Sequence, residues 1–388
     1  MKKITFIIPT LWAGLTQRHH HLASIFKKKG YDVQVVDFSS IISAFYIGTL
    51  QKKLHREELD IPHKRHTFKA ILPSFLLQKS ESNWKREKKR FSDFLEKLSG
   101  KVFTKDTIIW LQGISIFYDP YTIHNLPKKL LISDIEDDYA GFVRKELEEE
   151  VITIEKQIVK KADLVFTSAQ LLAERLLREN CKAYLIPNGV DEEFISEGNE
   201  IPKPKDMPSG KIVGYHGVIA DWFDFDLMYD VAKKLENEKF VMLGRRFVSF
   251  NKEKFKKLTS LPNVDYLGEK PYHELLKYVA HFDVGIIPRI SSAFTKAINP
   301  KKFYEYLACG KPVVATMMPE LERYEAKGIL ARAPDVDSFV ISLKQMIDSS
   351  NNPELKKKRL ELAKENSWQK RYEKIDNLIQ EKFKEKIK

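Results

Sequence analysis

Cysteine is almost absent: Cys181 and Cys309 are the only two in 388 residues. Two thiols cannot build a disulfide framework, and their scarcity fits a reducing compartment, so a cytoplasmic location is expected. Long apolar runs are missing too, and nothing approaches the roughly 18 consecutive apolar residues a membrane span needs. Met1-Lys2-Lys3 followed by Ile4 to Leu15 superficially resembles a secretory leader. Pro9 interrupts it and no small-residue cleavage site follows, so a strand running into a turn explains it better. No G-x-G-x-x-G follows that first strand, which argues against a dinucleotide oxidoreductase. No nucleic-acid-binding module is recognisable, and no nucleic-acid partner is expected. No Asp-x-Asp metal motif stands out either. His19, His20 and His21 are adjacent, but helical neighbours point about 100° apart and cannot converge on one ion. No metal requirement and no cofactor are expected.

What is present is enough for two domains of ordinary size, with 43% hydrophobic residues to fill their cores. The net charge of +12 is uneven. Residues 1–100 hold 19 Lys/Arg against 9 Asp/Glu, whereas residues 101–200 hold 12 against 19. Such a basic start fits an anionic membrane surface, nucleic acid or mere solubility, and the membrane surface, through residues 50–100, is preferred. Within that region Trp84, Phe91, Phe94 and Leu95 fall on one side of a helical pattern and a basic run on the other. That suits a helix lying on an anionic membrane, and equally a core-facing helix with a solvated basic face.

Lys3 to Pro9 reads as a buried strand, followed by a loop with Trp12, Gly14 and Thr16. A helix from Arg18 with apolar positions 22, 25 and 26 then ends at Gly30, and Asp32 to Asp37 forms the second strand. This β-α-β opening has the pattern of a doubly wound sheet. On the helix His21 is expected to pack on the sheet, with Arg18 or His20 turned to the ligand side. Thr107 to Leu111 and Lys129 to Ile132 are further buried strands. The second leads into the acidic segment Ser133-Asp134-Ile135-Glu136-Asp137-Asp138-Tyr139, past a strand's C-terminal end, where open α/β sheets bind ligands. Asp137 or Asp138 there could deprotonate a hydroxyl, or could hold structure, with Asp134 the next candidate. Ser168 can cap the helix around Leu171 to Leu177. The stretch from Glu197 to Gly210, with Pro202, Pro204 and Pro208, reads as a linker. It divides the chain into domains at 1–198 and 209–369.

The second half restarts the pattern. Lys211 to Gly217 is a strand ending in small residues, and Gly217 would let backbone N–H groups approach a phosphate. Phe240 to Arg246 is a strand ending in two arginines, of which Arg245 could pair with phosphate through two hydrogen bonds or lie solvated on a loop. The loop from Ile290 to Ile298 holds Thr295, a candidate for the same phosphate.

That loop leads into the stretch on which the rest turns, Asn299 to Thr316. Asn299 suits a helix N-cap and Pro300 the first helical position. Gly310 suits a left-handed C-terminal position, Pro312 blocks continuation, and Val313 to Thr316 begin a buried strand. Phe303 and Leu307 can face the core, with Lys302 and Glu305 on another face. Lysines in the first turn oppose the helix dipole by about 0.3–1 kcal/mol each unless an anion sits there, so this helix start is a phosphate seat or a solvated surface.

The pattern Asn-Pro-x-Lys-x-Tyr-Glu-Tyr-Leu-Ala-x-Gly-x-Pro-Val-Val resembles the nucleotide-sugar motif of GT-B glycosyltransferases. It is most similar to bacterial family-4-like (group 1) enzymes that build teichuronic acids, capsules and other surface glycans. The Arg-x-x-His-Leu-Ala segment at Arg18, the acidic segment after Ile132 and the turn at Pro187-Asn188-Gly189 resemble the same group. The resemblance implies an α/β fold of two Rossmann-like doubly wound domains facing across a cleft, with a C-terminal helix, about 370–388, crossing back to the first. It implies that Glu305 grips the ribose and that Lys302 contacts the diphosphate and stabilises its departure, with Asn299, Arg245, Gly217, Tyr272 and Thr295 completing the donor site. Tyr272 would lie near the base. Asp137 and Asp138 would serve the acceptor hydroxyl, with Arg18, His20 and Asp134 on the acceptor side. Many retaining members carry a glutamate eight residues before this one, where this chain has Ala297; retention is preferred over inversion on family grounds. The implied activity is transfer from a nucleotide-diphosphate sugar, a UDP-sugar first, to a glycan or lipid-linked acceptor in bacterial surface-polysaccharide synthesis. The enzyme would be cytoplasmic and peripheral on the inner face of the plasma membrane. The competing readings are a nucleotide-sugar epimerase or hydrolase on the same fold, and a non-enzymatic basic protein that binds membranes or nucleic acid.

Overall fold

The computed structural model describes residues 2–9, 17–40, 64–70, 80–179, 181–197, 201–247 and 251–387. The loop residues Trp12, Gly14 and Thr16, and residues 50–63 and 71–79 of the expected membrane-facing region, lie outside the described residues. The chain forms two compact units, Met1–Pro187 with Tyr372–Lys388, and Asn188–Arg371.

The first unit is built on a parallel sheet of seven strands: β1 (Lys3–Ile8), β2 (Asp32–Ser40), β3 (Lys64–Ala70), β4 (Thr107–Gln112), β5 (Leu130–Ile135), β6 (Leu164–Thr167) and β7 (Tyr184–Leu185), in the order β3-β2-β1-β4-β5-β6-β7. Its central strands are buried on both faces, which is why they read as apolar runs rather than alternating patterns. Phe6, Trp110 and Phe26 form the middle of the core, with the Phe6 and Trp110 ring centroids 5.4 Å apart. Tyr372 of the last helix, Trp368–Ile387, packs edge-on to Phe26 at 5.0 Å.

The helix Glu81–Lys97 settles one open alternative. Trp84, Phe91 and Leu95 are buried, and Phe91 meets Phe68 at 5.1 Å and Phe38 at 5.8 Å. Its apolar side is filled by the unit's own core and is not presented to lipid, while Lys85, Arg86 and Lys89 are exposed. Among the described residues no helix is long and apolar enough to cross a membrane. Ser168 does not cap the helix Gln170–Arg178, which starts after Ala169 without a side-chain cap. Its hydroxyl donates to the Glu136 carbonyl at 2.5 Å instead, tying β6 to the acidic segment after β5.

The second unit carries a parallel sheet of six strands: β8 (Ile212–His216), β9 (Lys239–Leu243), β10 (Val264–Tyr266), β11 (Val284–Ile287), β12 (Val313–Ala315) and β13 (Leu330–Arg332), in the order β10-β9-β8-β11-β12-β13. The order reverses between β8 and β11, and the crevice beyond the carboxyl ends of those two strands is where such sheets hold ligands. This unit begins earlier than the linker expected from sequence. Val190, Phe194, Ile195 and Met207 are buried in its core, so the apolar residues on both sides of the proline-rich stretch belong to it. The helix Lys301–Ala308 buries Phe303 and Leu307 completely, and Gly310, at φ +68°, turns the chain into β12.

Candidate functional site

The helix Lys301–Ala308 starts one residue later than the sequence suggests, with Pro300 at the cap position and Asn299 outside it. Asn299 is drawn away by other partners. Its Oδ1 accepts from the Asn188 N–H at 3.0 Å and its Nδ2 donates to the Tyr304 hydroxyl at 3.1 Å. It is 3% exposed and holds the entry to the helix in place.

One turn in, Glu305 is buried with its carboxylate surrounded by donors. The Tyr272 hydroxyl donates to it at 3.0 Å, the Lys301 ammonium lies at 3.3 Å and the His216 Nε2 at 3.4 Å. Burial alone would raise this carboxyl, but Lys301, His216 and Tyr272 together hold it below the usual range. His216, at the end of β8, is pushed down to about 4 by burial against the opposing pull of Glu305. It is therefore neutral at pH 7. Tyr272 also stacks near Phe194 and carries the Lys301 ammonium 4.4 Å over its ring.

Lys302 points elsewhere. Its ammonium stands 4.0 Å over the Tyr215 ring, and a β-carbon on Gly217 would come within 2.7 Å of it. Gly217 has φ +126°, and its N–H donates to the Leu243 carbonyl at 2.9 Å. Its own N–H is thus engaged within the fold, and the glycine leaves the space that seats Lys302. Lys302 has no carboxylate partner among the described residues. Burial, and after it the nearby Arg289, push its pKa well below the usual lysine range. A cation in that state is stabilised by any anion brought to it.

The other two expected phosphate contacts are engaged within the fold. Arg245 donates through Nε to both Glu269 oxygens at 3.0 Å, with an Nη at 2.8 Å. The Thr295 hydroxyl donates to the Ile290 carbonyl at 2.6 Å and closes a capping box with Ser292, which shapes the 290–296 loop rather than presenting the hydroxyl outward. The structure thus brings Glu305 together with Tyr272, and Lys302 together with Gly217, while Arg245, Asn299 and Thr295 are held by other partners.

In the first unit Arg18 and Asp134 are both buried and paired, Nε to Oδ2 at 2.8 Å, and an Arg18 Nη donates to the carbonyls of Ile186 and Pro187. Burial raises Asp134, against the pull of Arg18. His20 is 4% exposed and its Nδ1 accepts from the Gln17 N–H at 3.0 Å. Arg18 and His20, expected on the ligand side, are both buried: the guanidinium is paired with a carboxylate and the imidazole accepts at the helix start. Asp138 lies 3.4 Å from Arg175, and Asp137 is half-buried beside it. Between these carboxylates, Glu136 is pushed up to about 7 by burial and by the charge of Asp134, with the Tyr139 hydroxyl 3.4 Å away.

Sequence reasoning passed over four residues here. Lys301 was legible as the i,i+4 partner of Glu305, and Arg289 and His216 as polar residues at the carboxyl ends of strands that meet at the reversal. Glu136 lay within the acidic segment already singled out. Among the described residues no cluster of His, Cys, Asp and Glu is arranged to hold a metal. The arrangement in the second unit suits a molecule with vicinal hydroxyls for Glu305 and a multiply charged anion for Lys302.

Residues 210–349 match the family described as Glycosyl transferases group 1. The site just described, from Gly217 to Glu305, lies inside the matched stretch. The putative teichuronic acid biosynthesis glycosyltransferase TuaH of Bacillus subtilis (strain 168) is 25% identical over 222 residues, 55% of this chain and 56% of that protein. The match thus spans about half the length of the curated relatives, 56% and 53%. Among solved structures, a sucrose-phosphate synthase from Thermosynechococcus elongatus superposes with a TM-score of 0.71 at 14% identity over 99% of both chains. Anabaena HepE in complex with UDP and glucose superposes with a TM-score of 0.61 at 14% identity, over 98% of this chain and 100% of that one. Likeness at such low identity establishes the fold: the matched stretch and the unit before it have the Rossmann-like α/β form of the GT-B glycosyltransferases.

Proposed function

We propose that the protein is a glycosyltransferase that moves a sugar from a UDP-sugar to a glycan or lipid-linked acceptor in bacterial cell-surface polysaccharide synthesis. The observation that carries this reading is Lys302, a half-buried ammonium with no carboxylate partner among the described residues, at the first turn of the helix that also bears Glu305. In the proposed complex Glu305 accepts hydrogen bonds from the ribose hydroxyls, each worth on the order of 1.5–3 kcal/mol. Lys302, Arg289 and the helix start take the diphosphate. Negative charge grows on the diphosphate as the glycosidic bond breaks, so these cations stabilise the transition state more than the bound donor. Cationic side chains supply that charge without a divalent metal, and turnover is expected to survive EDTA.

Donor binding is assigned to residues 209–369, and acceptor handling to the first unit with the closing helix from about 370. Asp137, Asp138 and Glu136 are the acceptor-side carboxylates. Of these, Glu136 is poised to exchange a proton near neutral pH. Transfer is taken to proceed with retention, which the anomeric configuration of the product, read by NMR, decides. The chain is placed at the cytoplasmic face of the membrane, with exposed Lys85, Arg86 and Lys89 drawn to anionic lipid.

The test is thermal stabilisation by UDP-, GDP-, dTDP- and ADP-sugars, on the wild type and on Glu305→Ala. A ligand at about 100 times its dissociation constant stabilises by roughly 2.7 kcal/mol. A shift with the UDP class, lost in the variant, supports the reading. Equal shifts in both proteins, or none with any donor, overturn it.

A further inference from the structure

Three loops at the carboxyl ends of β9, β8 and β11 are stitched into one rim. Ile219 donates its N–H to Arg245, Phe247 donates back to Ile219, and Ile290 donates to Trp222, all at 2.9–3.0 Å. Phe223 and Arg289 form an isolated β-bridge. On this rim Trp222 is half-buried with Phe247 at 6.1 Å and Phe294 at 6.2 Å, and the Arg289 guanidinium lies 5.7 Å over its ring. Phe247 is 47% and Ile290 43% exposed. The rim abuts the seat of Lys302, because Tyr215, under that ammonium, packs edge-on against Phe223 at 4.8 Å.

A cluster of partly exposed aromatic rings held on backbone hydrogen bonds is not what solubility asks of a surface. It lies at the point where the strand order reverses, on loops that open the ligand crevice of such a sheet. The side of Lys302 toward Glu305 holds polar donors and acceptors, whereas the side toward Trp222 is aromatic with one guanidinium. A group joined to the diphosphate opposite the nucleoside would therefore meet an apolar face edged by a cation. A hexopyranose matches, with C–H groups on one face of the ring and hydroxyls around its edge.

We infer that Trp222 and Phe247 form the platform on which the transferred hexopyranosyl ring stacks, with Arg289 bridging from the diphosphate to the ring edge. The inference rests on the donor reading above. It makes the aromatic rim a sugar subsite, separate from the contacts that hold the nucleotide.

The test is calorimetric titration of the wild type, Trp222→Ala and Phe247→Ala with UDP and with UDP-glucose, UDP-N-acetylglucosamine, UDP-galactose and UDP-glucuronate. In the wild type at least one sugar nucleotide binds more tightly than UDP. Each variant weakens that donor by about three- to tenfold, the scale of one aromatic contact, and leaves UDP within about twofold. Phe247 is exposed enough for its variant to fold, and unchanged UDP affinity is itself the check on folding. Equal weakening of UDP and UDP-sugar would give the rim to the nucleotide and overturn the inference. So would unchanged affinity for both, or a wild type that binds UDP as tightly as every sugar nucleotide. A wild type that binds neither UDP nor any UDP-sugar would bring down the donor reading itself, and the platform with it.

Discussion

A β-carbon on Gly217 would sit 2.7 Å from the ammonium of Lys302, so the glycine and the lysine occupy one space between them. Gly217→Ala must both displace that ammonium and hold alanine at φ +126°, a strain on the order of 1–3 kcal/mol. The expected outcome is a protein less stable by about that amount in urea unfolding and with UDP affinity reduced at least about tenfold. Lys302→Met behaves differently. It removes a desolvated cation that has no carboxylate partner among the described residues, so the ligand-free protein is unchanged or slightly more stable, while the UDP-induced thermal shift disappears. Loss of stability in Lys302→Met with retained UDP binding would show that the lysine serves the fold.

Glu305 accepts from Tyr272 and faces Lys301 and His216 at 3.3 and 3.4 Å. Glu305→Gln keeps the shape and removes the charge that faces Lys301. A cost of about 1–3 kcal/mol is expected, together with loss of the UDP-dependent thermal shift. Loss of stability alone, with UDP still stabilising the variant, would limit Glu305 to a structural part.

His216 carries a pH dependence. Its folded value, about 4, lies below the ordinary histidine value of 6.5, so the unfolded chain binds more protons between the two. The stability this contributes is complete above pH 6.5 and is lost as pH falls toward 4. Buried His19 is lowered too and adds in the same direction. The difference between the wild type and His216→Gln isolates one group: denaturant midpoints should diverge across that window, with the variant falling less on acidification. Parallel curves would mean that His216 is not held neutral by its surroundings.

Arg18 and Asp134 are both buried, and Asp134→Ala takes away the carboxylate to which the guanidinium is bonded. Breaking a buried pair in this way costs about 3–5 kcal/mol. Chemical denaturation of Asp134→Ala should show that loss before any assay of transfer is meaningful. A fully stable variant would return Asp134 to the acceptor-side role its sequence position suggests.

Glu136, held at about 7, gives the acceptor side its own signature. Transfer that uses it to accept the hydroxyl's proton rises with pH through about 7, and Glu136→Gln flattens that rise while UDP binding is kept. An unaltered profile in the variant would leave Asp137 or Asp138 as the proton acceptor.

The doubly wound architecture was legible in the sequence because β4, β5, β8 and β11 are buried on both faces and so are written as apolar runs. The helix bearing Glu305 was legible because Pro300, Gly310 and Pro312 restrict the backbone locally. Lys302 and Glu305 were singled out by the resemblance of that helix to a nucleotide-sugar motif. What the sequence could not determine is which partner each polar group meets. Arg18 finds Asp134 across 116 residues of chain, Arg245 turns to Glu269, and Asn299 serves Asn188 instead of its own helix. Residue type sets what a side chain can bond to, but strand order sets what comes within 3 Å of it. The tertiary structure therefore left Lys302 without a carboxylate partner among the described residues, and brought Trp222, Phe247 and Arg289 together beside it from three separate loops.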